Sequence, residues 1–471
     1  MSNNVEVTRV PATESTKVGV WCAGLGLLAV TAVLGLWLFS TAPALRRLLI
    51  LGCLGCAFVC VVVVALHQRW SGGRRSAGEI AASACPNAAE GGYSPVPLAA
   101  APPQTLPSRR GQQLRGLAWV FGIGTALIGV FVMAAGTPQR SGAVERLYAA
   151  GAEFGTARAE KVSDVRRKSS RGKDPYTATV IVQLPVRAGD EPVSATVRTT
   201  TNQPLSPGDA VEVLYAPAQP RLGAVAGNEF SLGSELRGET MPAYMRWLVI
   251  AAWVLSCVAA VGHVSTRHGF RSFSRLGRHD KAIRGRYTRV GGPGSMAGQD
   301  SSGKETFLEI QTDTGYAHFR PSIGKHGLPS VMEGQELWLC WDTRRGTRTS
   351  RFSPSRTPAV LVFDTGLVVH GMMTVDQAKA LSERAAPVEE RGPAPEMGAP
   401  LMLFDTRAHW ALYVESLLFQ ACVVVLACTA LLTFDVPNAW RWTAGLVGIL
   451  GVFAAAGAYL GEDASTKPPA A

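Results

Sequence analysis

Residues Trp247–Val264 read WLVIAAWVLSCVAAVGHV, with no Lys, Arg, Asp or Glu, and a basic block follows within a few positions: Arg267, Arg271, Arg275 and Arg278. About 20 predominantly apolar residues carry a helix across the ~30 Å of bilayer hydrocarbon, so this stretch predicts a transmembrane helix. Five further apolar runs of similar length lie at 18–40, 48–66, 117–136, 411–433 and 442–460. The fold class expected is therefore a membrane α-helical protein with six transmembrane helices. Two small antiparallel all-β modules are expected in the polar sequence on either side of the fourth span.

The 471 residues divide accordingly. Residues 1–17 form an N-terminal segment, 18–66 a transmembrane hairpin and 67–114 a loop. Span 117–136 and span 247–264 flank a β-module over 137–244. A second module with a basic juxtamembrane helix occupies 265–373, a helix and Pro-rich linker 374–410, a second hairpin 411–460 and a tail 461–471. The first span could pass for a signal peptide, since Lys17 precedes it and Ala42-Pro43-Ala44 imitates a cleavage site. Its apolar run exceeds the ~7–15 residues of a signal core and a second span follows, which makes it an uncleaved anchor. Residues 71–113 are rich in Ala, Pro, Gly and Ser without apolar periodicity and are expected to be disordered.

Lys and Arg placement sets the expected orientation. With both termini inside, the cytoplasmic face takes about fourteen basic residues near span ends. Arg46, Arg47, Arg140, Arg146, Arg237, Arg246 and Arg441 remain on the other face. Localisation in a bacterial cytoplasmic membrane follows, with 137–244 outside and 265–410 inside. Seven of the nine cysteines lie in apolar spans, and the remaining two, Cys85 and Cys340, fall on the inner side, so no disulfide framework is implied.

In the outer module Tyr176, Ala178, Val180, Val182 and Leu184 alternate with Thr177, Thr179, Ile181 and Gln183, the period-2 pattern of a strand. Further strands are expected near 156–166, 192–200, 209–215 and 221–226, enough for a small barrel or sandwich. The inner module reads alike, with strands near 281–290, 305–312, 315–320, 335–341 and 359–370. Thr374 and Gln377 can form a capping box for a helix after the last of these. The strings Gly208-Asp209-Ala210-Val211-Glu212-Val213-Leu214-Tyr215 and Gly334-Gln335-Glu336-Leu337-Trp338-Leu339-Cys340-Trp341 occupy equivalent places. Either a divergent internal repeat or convergence on a common hairpin pattern accounts for them.

The outer string continues as Gly208, Asp209, Val211, Val213, Tyr215, Pro217 and Pro220 between two membrane spans. It resembles a bacterial multi-pass membrane protein family of unknown function, in which a β-module between two transmembrane helices ends in a Gly-Asp-x-Val-x-Val-x-Tyr-x-Pro-x-x-Pro strand. The resemblance covers about 115–265. It implies the helix–module–helix layout and lends no reaction or ligand. Ala216 stands where that family commonly has Asp.

No motif carries chemistry. Gly298 to Lys304 has the spacing of a phosphate-binding loop, but Glu305 replaces the Mg²⁺-binding Ser or Thr and a strand follows, so a hairpin loop is the plain reading. Cys53, Cys56 and Cys60 lie mid-span beside Gly52, Gly55 and Ala57, which favours a helix-packing face over a metal or redox site; Ala444, Gly448, Gly451 and Ala455 offer a similar face. The eight histidines are scattered without zinc spacing. Intramembrane ionisable residues are confined to Glu415 and His263, near span ends, which gives a proton-coupled path little support. Asp164, Asp174 and Asp190 outside, or Glu309, His318 and Asp342 inside, are raw material for an enzyme but read as solvated surface. No catalytic residue, cofactor or metal is expected.

Arg267, Arg271, Arg275 and Arg278 come with no recognisable nucleic-acid reading motif and abut a membrane span, so they are expected at lipid headgroups. Membrane lipids and other envelope proteins are the partners this implies, with no nucleic acid; oligomeric state is left open. The expected function is a non-enzymatic binding or scaffold protein. Its alternatives are a channel or carrier for an uncharged solute, with Thr31, Thr125, Ser256, Gln420 and Thr429 as the polar span residues, and a membrane-bound enzyme.

Overall fold

The computed structural model describes residues 14–70, 101–167, 176–184, 193–268, 271, 273–291, 307–313, 315–322, 328, 332–344, 356–387, 401–405 and 414–461. Six long helices form a bundle: α1 Glu14–Phe39, α2 Pro43–Trp70, α3 Arg110–Ala135, α6 Ala243–His268, α8 Ser416–Leu432 and α9 Asn438–Gly461. Three short helices lie outside it: α4 Gly142–Ala149, α5 Glu229–Leu236 and α7 Val375–Ser382. Among the described residues, five helices are long and apolar enough to cross a membrane, while α8 has 17 residues. The bundle is apolar on the outside as well: Leu28, Val59, Leu248, Leu255, Leu446 and Phe453 are all exposed. Such a surface suits hydrocarbon and is far larger than a soluble monomer shows. Exposed tryptophans mark both ends of the bundle, Trp21 and Trp70 at one, Trp247, Trp440 and Trp442 at the other, as aromatic belts do at membrane interfaces.

α3 and α6 run antiparallel. Trp253 Nε1 donates to Thr125 Oγ1 at 3.1 Å, and Phe121 packs edge-on against Trp253. At one end, buried Arg46 in the first turn of α2 donates to the carbonyls of Ser40, Gly238 and Pro138, so the α1–α2 turn is tied to the chain leaving α3 and the chain entering α6. Arg47 lies over Phe434 in the α8–α9 turn at that end. At the opposite end, Val414 N–H, just before α8, donates to Gln68 Oε1 near the end of α2. The short α8 thus runs between levels marked by Gln68 and Arg47, almost the length of α2.

The first module has five strands, β1 Glu153–Arg167, β2 Tyr176–Leu184, β3 Val193–Thr201, β4 Ala210–Tyr215 and β5 Ala224–Ala226, in the order β3-β2-β1-β4-β5. Inward residues Val180, Val182, Val197 and Val213 fill it, and α4 and α5 pack Val144, Leu147, Leu232 and Leu236 beneath it. The second module comprises β6 Asp280–Gly291, β7 Phe307–Thr312, β8 Gly315–Pro321, β9 Glu336–Asp342, β10 Arg356–Phe363 and β11 Leu367–Thr374. β11 pairs with both β8 and β10, which closes a six-stranded barrel. Two short strands extend its pairing beyond β7 and β8, β12 Ala386–Pro387 on β6 and β13 Met402–Leu403 on β11.

Removing β11 leaves the order β8-β7-β6-β9-β10, the same as β3-β2-β1-β4-β5. The two glycine strings occupy the same place in it. Gly208 (φ +95°) donates to Ala159 O, whose N–H donates to Asp209 O; Gly334 (φ +83°) donates to Tyr287 O, whose N–H donates to Gln335 O. Each exchange sits at a bulge in the first strand, Ala159/Lys161 and Tyr287/Arg289. A positive φ is what glycine supplies without steric cost, and shared order, bulge and hydrogen bonds favour the internal repeat over convergence.

Six expectations need correction. The segment 71–113 is not disordered throughout: Gln104 and Leu106 pair with the chain after α6, and Arg110 begins α3. Among the described residues no basic juxtamembrane helix carries Arg271, Arg275 and Arg278, because α6 ends at His268. The strand at 359–370 is two, β10 and β11, turned at Asp364-Thr365-Gly366 where Gly366 has φ +81°. Helices α4 and α5 lie in sequence read only as polar; Val144 and Leu147, three apart after the Ser141 cap, were the available signal. Gly52, Gly55 and Cys56 are open to the outside, whereas α2 packs through Ile50, Leu54, Ala57, Cys60 and Val64. The face on α9 does pack: a Cβ on Gly448 would meet Val130 at 2.9 Å. Finally, Thr374 caps α7 through Gln377 N–H, but the Gln377 side chain bonds His318 Nδ1 instead of completing the box. The loops at 71–100 and 298–304, the linker at 388–400, Cys85, Asp174 and Asp190 lie outside the described residues.

Replacing Arg46 by Ala leaves three carbonyls at the helix turns without their shared donor. Hydrogen bonds to charged groups contribute ~1.5–3 kcal/mol each, so Arg46→Ala should lower the melting temperature in detergent markedly and Arg46→Lys, with no planar fork, should recover only part. A melting curve unchanged by Arg46→Ala would refute this role.

Candidate functional site

The densest group of charged side chains lies where the bundle meets the second barrel. Two segments form a ribbon there: Leu106 N–H donates to Ser274 O, and Leu276 N–H to Gln104 O. The chain entering α3 is thereby paired with the chain leaving α6. Leu106, Phe273 and Leu276 lay this ribbon on the barrel's outer face against Trp338, Cys340, Val360, Val362 and Val368.

Arg271 lies under the ribbon. It forms an ion pair with Asp280 at the start of β6 and reaches Asp342 at the end of β9 at 2.8 Å. Both carboxylates are 1% exposed. Although burial acts to lower it, the Arg271 pKa is raised by these partners. Beside it Arg109, fully buried, donates from Nε to Arg271 O at 2.7 Å, and both guanidinium groups lie over the Phe273 ring. Among the described residues the two Nη atoms of Arg109 have no hydrogen-bond partner. Burial, with Arg271 nearby, lowers its pKa to about 10. His370 on β11 meets Pro107 O through Nε2 at 2.9 Å, locking the ribbon to the barrel. Burial and then the charge of Arg109 push the His370 pKa down to about 3, so the ring is neutral.

Outside this buried group a cleft of about 530 Å³ opens, lined by Gln104, Arg271, Arg275, Leu276, Gly277, Arg278, His279, Asp280 and Arg344. Arg275 and Arg278 are exposed, and Arg344 shares Asp342 at 3.5 Å. The four arginines expected at lipid headgroups therefore separate. Arg271 is a structural ion-pair partner, Arg275 and Arg278 face the cleft, and the Arg267 side chain lies outside the described residues.

The remaining singled-out residues do not assemble with these. Glu309 and His318 are cross-strand partners on β7 and β8, Glu309 engaging Arg289 at 2.8 Å, whereas Asp342 belongs to the Arg271 group. Asp164 is an exposed residue at the β1 bulge. Gly208, Asp209, Val211, Val213 and Tyr215 lead into and form β4; Val211, Val213 and Tyr215 face the barrel core, and Asp209 caps Ser206 N–H. Pro217 and Pro220 shape the following turn. That string is structural throughout. Cys340 is buried in β9, so a thiol reagent reports nothing about its side of the membrane.

Sequence reasoning missed Arg109 and His370, which become neighbours only through the ribbon. It also missed a second cavity, of about 280 Å³, in the half of the bundle nearer the second barrel. Small residues such as Ala23, Gly26, Gly122 and Ala126 leave it open, and Cys22, Cys60 and Cys422 line it. Its mouth carries Arg115, paired with Asp405, and the stacked Trp119–Tyr459 rings. The other half of the bundle is closed by Leu34, Trp37, Ile50, Met133 and Leu432.

Comparisons with protein-family models, with curated proteins and with solved structures find no match to this chain.

Two predictions follow from the separation of the arginines and from His370. Arg271→Ala strands two buried carboxylates and should cost about 3–5 kcal/mol, while Arg275→Ala should change stability by less than about 0.5 kcal/mol; denaturation of both variants in detergent tests this. Because the His370 pKa lies below that of the unfolded chain, folding excludes a proton that the unfolded state takes up as pH falls below 6.5. Stability should drop by about 2 kcal/mol between pH 6.5 and 5 from this group alone. Equal pH dependence in wild type and His370→Gln would refute that contribution.

Proposed function

We propose that this protein is a non-enzymatic binding or scaffold protein of a bacterial cytoplasmic membrane, with six crossings, both termini cytoplasmic and one barrel on each side. The observation that carries the reading is the α3–α6 pair. These antiparallel helices hold the first barrel between their Ala135 and Ala243 ends, and at their Arg110 and His268 ends they continue into the ribbon clamped on the second. One rod presents a compact β surface at each end.

The orientation draws support from what the exceptional arginines do. Arg46 holds three carbonyls, Arg140 engages Leu236 O and Glu145, and Arg237 and Arg246 share Glu239. These residues on the outer side have local structural work, whereas Arg275 and Arg278 on the inner side are exposed. The sixth crossing is α8, which spans the distance from Gln68 to Arg47.

A second reading, passage of an uncharged apolar solute, rests on the cavity lined by Cys22, Cys60 and Cys422. The packed far half gives no continuation of that cavity, which favours binding over passage.

A photo-crosslinking residue placed at Glu160 on the first barrel or Tyr316 on the second, both exposed, tests the principal reading in intact cells. Each position should capture its own saturable set of envelope or cytoplasmic proteins, and deleting one barrel should abolish only its own adducts. Absence of adducts at both positions would overturn the scaffold reading.

A further inference from the structure

We propose that the cleft beside the ribbon binds the phosphate of an anionic membrane lipid, a reading that rests on the membrane placement given above. Three observations meet there. The first is charge. Arg271, Arg275, Arg278 and Arg344 lie in or against the cleft, and the two carboxylates among them, Asp280 and Asp342, are both engaged by Arg271. Arg275 and Arg278 have no carboxylate among the described residues, so their positive charge is available to a ligand.

The second is shape. Arg275 and Arg278 project from the turn that leads into β6, and Arg344 from the turn after β9, so the cations approach one space from two chain segments. Gln104 adds an amide from the third segment. A phosphate accepts several donors at once, and guanidinium groups match its oxygens geometrically.

The third is depth. Helices α3 and α6 are each 26 residues, about 39 Å long, against ~30 Å of hydrocarbon, so their ends enter the headgroup layer. Arg271 lies three residues beyond α6, at most about 11 Å of chain, and its carbonyl is held by Arg109 immediately before α3. The floor of the cleft is thus fixed to two helix ends at headgroup level. A soluble phosphate compound would share the chemistry, but the depth favours the lipid.

The test uses the full-length protein in detergent, exchanged into mixed micelles of phosphatidylglycerol or phosphatidylcholine, with lipid retention counted by native mass spectrometry. Wild type should retain phosphatidylglycerol preferentially. Replacing Arg275, Arg278 and Arg344 by Ser should weaken retention by about fivefold for each arginine removed, while Arg284→Gln with Arg286→Gln, which removes charge elsewhere on the barrel, should leave it unchanged. Preference equal for both lipids, or a triple variant indistinguishable from wild type, overturns the proposal. Displacement of the lipid by millimolar inorganic phosphate overturns the lipid as the source and assigns the site to a soluble anion. Carbonate extraction of the wild type without detergent would instead refute the membrane placement itself, independently of lipid preference.

Discussion

Hydrocarbon offers no partner to a backbone N–H or C=O, so chain reversals between spans must either reach water or be satisfied from within the protein. Arg46 resolves this at the first reversal. One guanidinium holds the carbonyls of Ser40, Pro138 and Gly238, the points where the chain leaves α1, leaves α3 and approaches α6. Three helix ends converge on a single side chain, and Trp37 lies against its face. The position of the first barrel follows, because that barrel is strung between two of those three points.

At the other end the same task is solved with more groups and a different outcome. The ribbon pairs the chain before α3 with the chain after α6, and Arg109, Arg271, Phe273 and His370 fasten it to the second barrel. An Arg–Asp–Asp cluster buried at this junction is poor evidence for stability, since desolvation offsets much of its attraction. It does fix geometry: Arg271 can satisfy Asp280 and Asp342 together only when β6, β9 and the ribbon are in one arrangement.

Most of the architecture was legible because it is written in local patterns. The six apolar runs and the alternating valines of β2 and β4 reflect burial against lipid or a barrel core, and each run reports its own environment. What was not legible depends on residues far apart in sequence. Arg109 and Arg271 are 162 positions apart, and Arg46 and Gly238 are 192. An arginine that caps three carbonyls and one that lines a cleft look alike in sequence, and both counted equally toward the expected orientation. The hairpin at Asp364 was hidden for another reason. Both of its strands are buried on both faces, so Ala359 to Val369 read as one apolar run interrupted only by Asp364-Thr365-Gly366.

The shared strand order gives the two modules one ground plan. Each module begins with a bulged strand that receives a glycine with positive φ from the turn before the fourth strand; the first is reached from α3 through α4, the second from α6 through the ribbon. The first copy remains open, its short β5 backed by α4 and α5; the second gains β11 and closes. Closure removes the sheet edges that an open barrel must cover. It also frees the outer face of the second barrel to accept the ribbon, since Val360, Val362 and Val368 can turn apolar side chains outward only where something covers them. The second module is fastened to the bundle by its side, through β9, β10 and the Val368 and His370 positions of β11, as well as by its covalent link, whereas the first is held through α4, α5 and the turns around Arg46. A shared strand order with different attachment gives one unit a covered wall beside a cleft, and the other an exposed sheet supported by α4 and α5.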